Sequence, residues 1–335
     1  MAVSRRGVDV DELVQRARGA DARAVARLIS LVESGGTPAN DGVAGEEDSP
    51  VLRRVAAALA PYGGHAQVVG LTGSPGVGKS TSTSALVSAL RADGKRVGVL
   101  AVDPSSPFSG GALLGDRVRM QDHATDDGVF IRSMASRGRL GGLSAAVPQA
   151  LRVLDAAGCD VVLVETVGVG QAEVEIASLA DTTMVLLAPG MGDGIQAAKA
   201  GILEIADIFV VNKADREGAD QVSRDLRYMQ SLGGRHSAAG AWRPPIVKTV
   251  ASRGEGVQDV VAAVEKHGEW MRSHGELDRR RAARAAAEIE AIALGQVRQR
   301  FASVHGSKAL EAAARRVVAG GTDPYTAADE LVAAL

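Results

Sequence analysis

Gly73-Ser74-Pro75-Gly76-Val77-Gly78-Lys79-Ser80 decides the fold of this 335-residue chain. The stretch fits the P-loop pattern, in which two glycines five positions apart are followed by lysine and a hydroxyl residue. Gln67-Val68-Val69-Gly70-Leu71 ahead of it reads as a buried strand, and Thr81 to Leu90 behind it as a helix. A glycine-rich turn that matched by chance would lack both flanks. In this setting the glycines let backbone N–H groups converge on phosphate oxygens, and the helix N-terminus adds positive potential. Lys79 would reach the β- and γ-phosphates, and the Ser80 hydroxyl would bind Mg²⁺. Thr81, at the helix start, joins residues 73–80 as a nucleotide-binding candidate.

A second motif, Asn212-Lys213-Ala214-Asp215, follows the apolar run Ile208-Phe209-Val210-Val211. Guanine presents two donors on one edge, N1–H and the exocyclic amine, and a carboxylate accepts both in a fork. Adenine has no such pair. Asp215 would make that contact, worth about 1.5–3 kcal/mol, with Lys213 along the base face. Alone, four residues at a strand end could be a solvated turn. Behind a P-loop they point to GTP rather than ATP.

Composition narrows the class. With 40 acidic and 38 basic residues the formal charge is −2, so there is no basic excess for nucleic acid. Aromatics are only 3% of the chain, which argues against a base-stacking platform. Cys159, the single cysteine, excludes an internal disulfide and reads as a buried small hydrophobe. No apolar run approaches the ~18–20 residues that span a bilayer. Met1 to Val10 is charged and lacks a signal-peptide core, so a cytoplasmic protein is expected.

Apolar strands alternate with amphipathic helices through the middle of the chain. The expected strands are 67–71, 97–102, 129–133, 161–165, 183–187, 208–211 and 246–250. The expected helices are 143–156, 194–205, 216–231 and 257–271. This rhythm predicts an α/β fold with a mostly parallel sheet covered on both faces and nucleotide beyond the strands' carboxyl ends. Val8 to Val32 has continuous helical periodicity, 33–49 reads as a loop and Val51 to Ala60 as a short helix. After Trp270 the character changes. Glu276 to Ala302 is one long helical pattern with a narrow apolar stripe of Ala286, Ile289, Ile292, Ala293 and Val297, followed by shorter helices at 308–319 and 324–335. Such a stripe suits a helix–helix seam, although a helical cap on the domain is the alternative. The expected organisation is an N-terminal helical segment (1–60), a P-loop GTPase domain (61–271) and a C-terminal helical dimerisation arm (272–335).

Three segments between the motifs carry candidate metal and γ-phosphate groups. Asp103, just past a buried strand, could orient water or hold the Mg²⁺ shell, or simply cap an Asp-Pro turn. Asp116 and Arg117, in the glycine-rich loop 109–117, could meet metal and phosphate or be solvated charges. Glu165 ends a strand where an Mg²⁺-site carboxylate belongs, usually aspartate; being longer, it could reach the metal directly or through water. Gly168 could donate its N–H to the γ-phosphate.

Together these stretches resemble the methylmalonyl-CoA mutase-associated GTPases (MeaB/ArgK type). The matching segments are VDPSS (102–106), GALLGDRVRM (111–120), ETVGVGQAE (165–173), GDGIQAAKAGI (192–202) and NKAD (212–215). The resemblance spans about 66–256 and implies a P-loop GTPase of the signal-recognition-particle/MinD class. It implies phosphate and Mg²⁺ roles for Lys79 and Ser80, and a metal and water shell of Asp103, Asp116 and Glu165. Guanine reading falls to Asn212, Lys213 and Asp215, with Ala251, Ser252 and Arg253 as the last base loop, which departs from the common Ser-Ala form. Gly168, Gln171, Gln196 and Lys199 become switch residues. The implied partner is adenosylcobalamin-dependent methylmalonyl-CoA mutase, or a related cobalamin-dependent acyl-CoA mutase, served by a homodimeric chaperone that gates cofactor delivery and protects or rescues the mutase. No cobalamin is expected on this chain itself.

Other readings are a nickel or zinc metallochaperone GTPase, a small-molecule kinase linked to amino-acid transport, and a non-catalytic nucleotide-gated module. A metallochaperone needs clustered His or Cys ligands, whereas the six histidines are scattered and Cys159 is alone. A kinase needs an acceptor pocket, and no acceptor motif is visible. No residue reads as an arginine finger or catalytic glutamine, so slow intrinsic turnover, accelerated by the partner, is expected.

Overall fold

The computed structural model describes residues 9–34, 50–103, 123, 125–135, 146–166, 172–190, 204–232, 240–302 and 308–333. Seven strands form one parallel sheet: β1 (Gln67–Thr72), β2 (Val97–Asp103), β3 (Val129–Ala135), β4 (Val161–Thr166), β5 (Thr182–Leu187), β6 (Ile208–Asn212) and β7 (Ile246–Thr249). Their order is β3-β2-β4-β1-β5-β6-β7. β4, β5 and β6 are buried at every position, as expected of strands covered on both faces. All seven strands read from the sequence are present. β1 lies centrally, with β4 and β5 on its two sides, so its carboxyl end opens at the point where the strand order reverses.

Eleven α-helices are described. Three precede the sheet: α1 (Val10–Arg18), α2 (Ala22–Ser34) and α3 (Pro50–Leu59). Within it lie α4 (Lys79–Ala92), α5 (Ala146–Ala156), α6 (Ala172–Leu179), α7 (Ala219–Leu232) and α8 (Val257–Ser273). The last three are α9 (Glu276–Ala302), α10 (Lys308–Val318) and α11 (Pro324–Ala333). The helix expected at 194–205 falls outside the described residues, except that Glu204 and Ile205 lie in a turn and bend.

The continuous periodicity of 8–32 resolves into two helices. Ala20 takes a left-handed φ of 64°, and Asp21 caps α2 by accepting from the N–H groups of Arg23 (2.9 Å) and Ala24 (3.2 Å). Val14, Leu28 and Val55 of these helices share a core with Leu100, Met134, Val147 and Val164 on one face of the sheet. The other face packs Leu71, Leu163 and Met184 against Leu86 of α4 and Val260 of α8.

The root of α9 is fixed to the amino end of the sheet. Arg280 donates to both carboxylate oxygens of Asp207 at 2.9 Å, and Arg281 reaches Asp181 at 2.9 Å. Arg284 also binds Asp181. Burial works to raise the Asp181 pKa, but the two arginines outweigh it and hold the carboxyl below its usual range. Farther along, Ile289, Leu294 and Val297 are exposed.

His267 sits behind this root, fully buried, 2.8 Å from Thr182 Oγ1 and 3.4 Å from Asp207. Burial pushes its imidazole from 6.5 down to about 4, against the pull of Asp207. A base whose folded pKa is depressed stabilises the fold fully above its unfolded value, and that stability is lost as pH falls toward the folded one. Glu276, held down to about 2 by Arg279 with help from Arg280, loses its contribution only below its ordinary 4.5. Stability should therefore fall by up to about 3 kcal/mol through His267 between pH 6.5 and 4. Denaturant midpoints across this range check it: His267→Asn should flatten the slope above pH 4.5, and an unchanged slope would show that His267 does not titrate this way.

Candidate nucleotide site

The P-loop joins β1 to α4 as expected. Its glycines are there for space and conformation. Gly73 has φ +144°, and a Cβ on it would collide with the backbone of Leu186. Gly78 has φ +96°, and a Cβ would lie 2.5 Å from Asn212 Nδ2. The first helical bond of α4 runs from Ser82 N to Gly78 O at 2.9 Å. The amides ahead of it lie in the helix's first turn, where intrahelical acceptors are lacking. Lys79 is buried, and its Nζ donates to Gly73 O (2.6 Å) and Ser74 O (3.2 Å), so the ammonium arches over the loop. Thr81 is exposed on the first turn.

Behind the loop, Ser80 Oγ donates to Glu165 Oε1 at 2.6 Å. Glu165 closes β4 and is buried, so the expected metal-site carboxylate abuts the expected metal-binding hydroxyl. Thr83, which the sequence reading passed over, donates to the other oxygen, Oε2, at 2.8 Å. The signal was available: Thr83 lies three residues beyond Ser80, on the same helix face. Asp103 is the last residue of β2, and β4 stands between that strand and β1. Asp116, Gly168, Gln171, Gln196 and Lys199 lie outside the described residues.

The 212–215 motif closes over the P-loop. Lys213, with a left-handed φ of 57°, donates from Nζ to Gly76 O at 2.6 Å. Asn212 Nδ2 donates to Val77 O at 2.9 Å, and its Oδ1 accepts from Thr249 Oγ1 (3.2 Å) and Ala251 N (3.1 Å). Its amide thus ties the P-loop to the Ala251–Arg253 turn. Asp215 is exposed at the mouth, 3.5 Å from Arg253, which also binds Glu255 at 2.9 Å. Ala251 is buried, whereas Ser252 and Arg253 are exposed. Cys159 is buried far down in the sheet core, where burial pushes its thiol up to about 12, unsuited to nucleophilic work.

The family profile described as "Methylmalonyl Co-A mutase-associated GTPase MeaB" matches residues 25–305. A Pyrococcus abyssi protein is 46% identical over 323 residues, covering 96% of each chain. GTPase ArgK of Escherichia coli is 36% identical over 255 residues, covering 76% of this chain and 74% of its own. The mouse protein named methylmalonic aciduria type A homolog, mitochondrial, is 35% identical over 79% of this chain and 65% of its own. A crystal structure described as LAO/AO transport system kinase superposes with a TM-score of 0.69 at 25% identity, covering 99% of this chain and 98% of that one. This chain is therefore a GTPase belonging to the methylmalonyl-CoA mutase-associated MeaB family.

Proposed function

We propose that this chain is a GTP-hydrolysing chaperone of an adenosylcobalamin-dependent methylmalonyl-CoA mutase, or a related cobalamin-dependent acyl-CoA mutase. It gates cofactor loading and protects or rescues the mutase. The observation that carries the nucleotide part is the closure of the 212–215 motif on the P-loop, through Asn212 to Val77 O and Lys213 to Gly76 O. Base and phosphate recognition then form one site. The partner part is supported by the family description.

The site suits Mg²⁺, a hard cation that takes oxygen ligands: a hydroxyl, Ser80, is backed by a buried carboxylate, Glu165. When bound, Mg²⁺ neutralises charge across the β- and γ-phosphates. Ser80 would hold it, with Glu165, Asp103 and Asp116 in its shell. Lys79 and the loop amides bind the phosphates and stabilise charge on the leaving group. Asp215 accepts from guanine N1–H and the exocyclic amine. Gly168, Gln171, Gln196 and Lys199 would carry the γ-phosphate signal to the partner.

The C-terminal helices, 272–335, would form the dimerisation arm. The exposure of Ile289, Leu294 and Val297 on α9, with its root fixed to Asp181 and Asp207, supports a seam with a second copy. Against a metallochaperone stands the lack, among the described residues, of any cluster of three His, Cys, Asp or Glu. No described helix is long and apolar enough to cross a membrane. The partner reading is tested by adding purified mutase to the GTPase. Turnover should rise at least about tenfold, because transition-state charge stabilisation supplied in trans accelerates phosphoryl transfer. An unchanged rate at saturating mutase would refute the assigned partner.

A further inference from the structure

Thr83 is fully buried on α4, one turn beyond Ser80. Residues three apart on a helix share a face, and here the two hydroxyls grip the two oxygens of one carboxylate. Ser80 Oγ donates to Glu165 Oε1 at 2.6 Å, and Thr83 Oγ1 to Oε2 at 2.8 Å. Thr83 Oγ1 also lies 3.1 Å from Lys79 O, the usual acceptor for a helical threonine. One hydroxyl carries one hydrogen; the shorter distance and the charged acceptor direct it to Glu165.

The terminal torsion of a glutamate is broad. A hydroxyl donor at Oε1 does not by itself set this torsion. The second donor removes that freedom, and with Glu165 buried no bulk water takes its place. A fixed Oε1 in turn keeps the Ser80 hydrogen on Glu165 and so gives the hydroxyl one orientation.

We propose that Thr83 is a positioning residue for the Mg²⁺ site: by fixing Glu165 it orients the Ser80 hydroxyl and so raises the affinity of the nucleotide-bound protein for Mg²⁺. This deepens the GTPase reading of the same site and rests on its assignment of Ser80 to the metal.

The test uses the full chain and a fluorescent GDP analogue, titrated with Mg²⁺ and separately in EDTA. Thr83→Val keeps the shape and removes the donor, Thr83→Ala is read in the same way should the valine variant not fold, and Thr83→Ser keeps the donor. The expected result is a half-saturating Mg²⁺ concentration about 5–10-fold higher in the valine or alanine variant. The serine variant should return to within about twofold, and the affinity in EDTA should be unaltered in all of them. Three results would overturn the proposal: an unshifted Mg²⁺ titration without the hydroxyl, a serine variant as impaired as the valine one, or an equal loss of affinity with and without Mg²⁺. Failure of the unsubstituted protein to bind the analogue would instead refute the GTPase reading beneath it.

Discussion

Lys79→Ala is expected to lower GTP turnover by about 10²–10³-fold, the scale seen when one preorganised charge-stabilising donor is removed from a water-excluded site. The side chain is buried, and its Nζ bridges Gly73 O and Ser74 O. It therefore lies along the loop that would cradle the β- and γ-phosphates, and it adds a full positive charge to what the amides supply. Lys79→Arg should rescue poorly, because a planar, forked guanidinium does not replace a compact ammonium in so tight a loop. Phosphate release under single-turnover conditions checks the prediction, with thermal melting to confirm an intact fold. A folded Lys79→Ala protein with an unaltered rate would remove the P-loop from the chemistry.

Asp215→Asn should weaken GTP binding by about 10–150-fold, the equivalent of 1.5–3 kcal/mol for a hydrogen bond to a charged acceptor. It should at the same time improve binding of XTP. Xanthine carries a carbonyl where guanine has its amine, and the asparagine amide can donate to it. Arg253 lies 3.5 Å from the Asp215 carboxylate, at the rim where the base would enter. Competition binding with GTP, XTP and ATP reads the switch. An Asp215→Asn protein that keeps full GTP preference would show that the base is read elsewhere.

The strands were legible in the sequence because parallel strands buried on both faces read as unbroken apolar runs such as Val161 to Val164. The phosphate loop was legible for a related reason: two of its glycines, Gly73 and Gly78, occupy positions where a side chain would collide with Leu186 or Asn212. Sheet order was not. β2 follows β1 in the chain, yet β4 lies between them in the sheet, because pairing is settled by tertiary contacts. Nor were the contacts of Asn212, whose amide is engaged 135 residues away at Val77 O and 39 residues away at Ala251 N. The break in the first helical stretch hinged on Asp21, whose carboxylate offers the chain a cap in place of another helical turn. The α6 helix, Ala172–Leu179, was passed over: it is only eight residues long, too short for a clear period. The anchoring of α9 was not legible either, because the partners of its arginines, Asp181 and Asp207, lie far off in the chain, with Arg281 and Asp181 separated by 100 residues.

Selective hydrolysis of GTP by water is the chemistry expected of this site. The direct measurement is product analysis for the purified protein with Mg²⁺, supplied with GTP or ATP in separate reactions. Slow release of one free phosphate for each GDP formed from GTP is expected, and little or none from ATP. Equal turnover of ATP, or transfer of the γ-phosphate to an acceptor in place of its release, would contradict it.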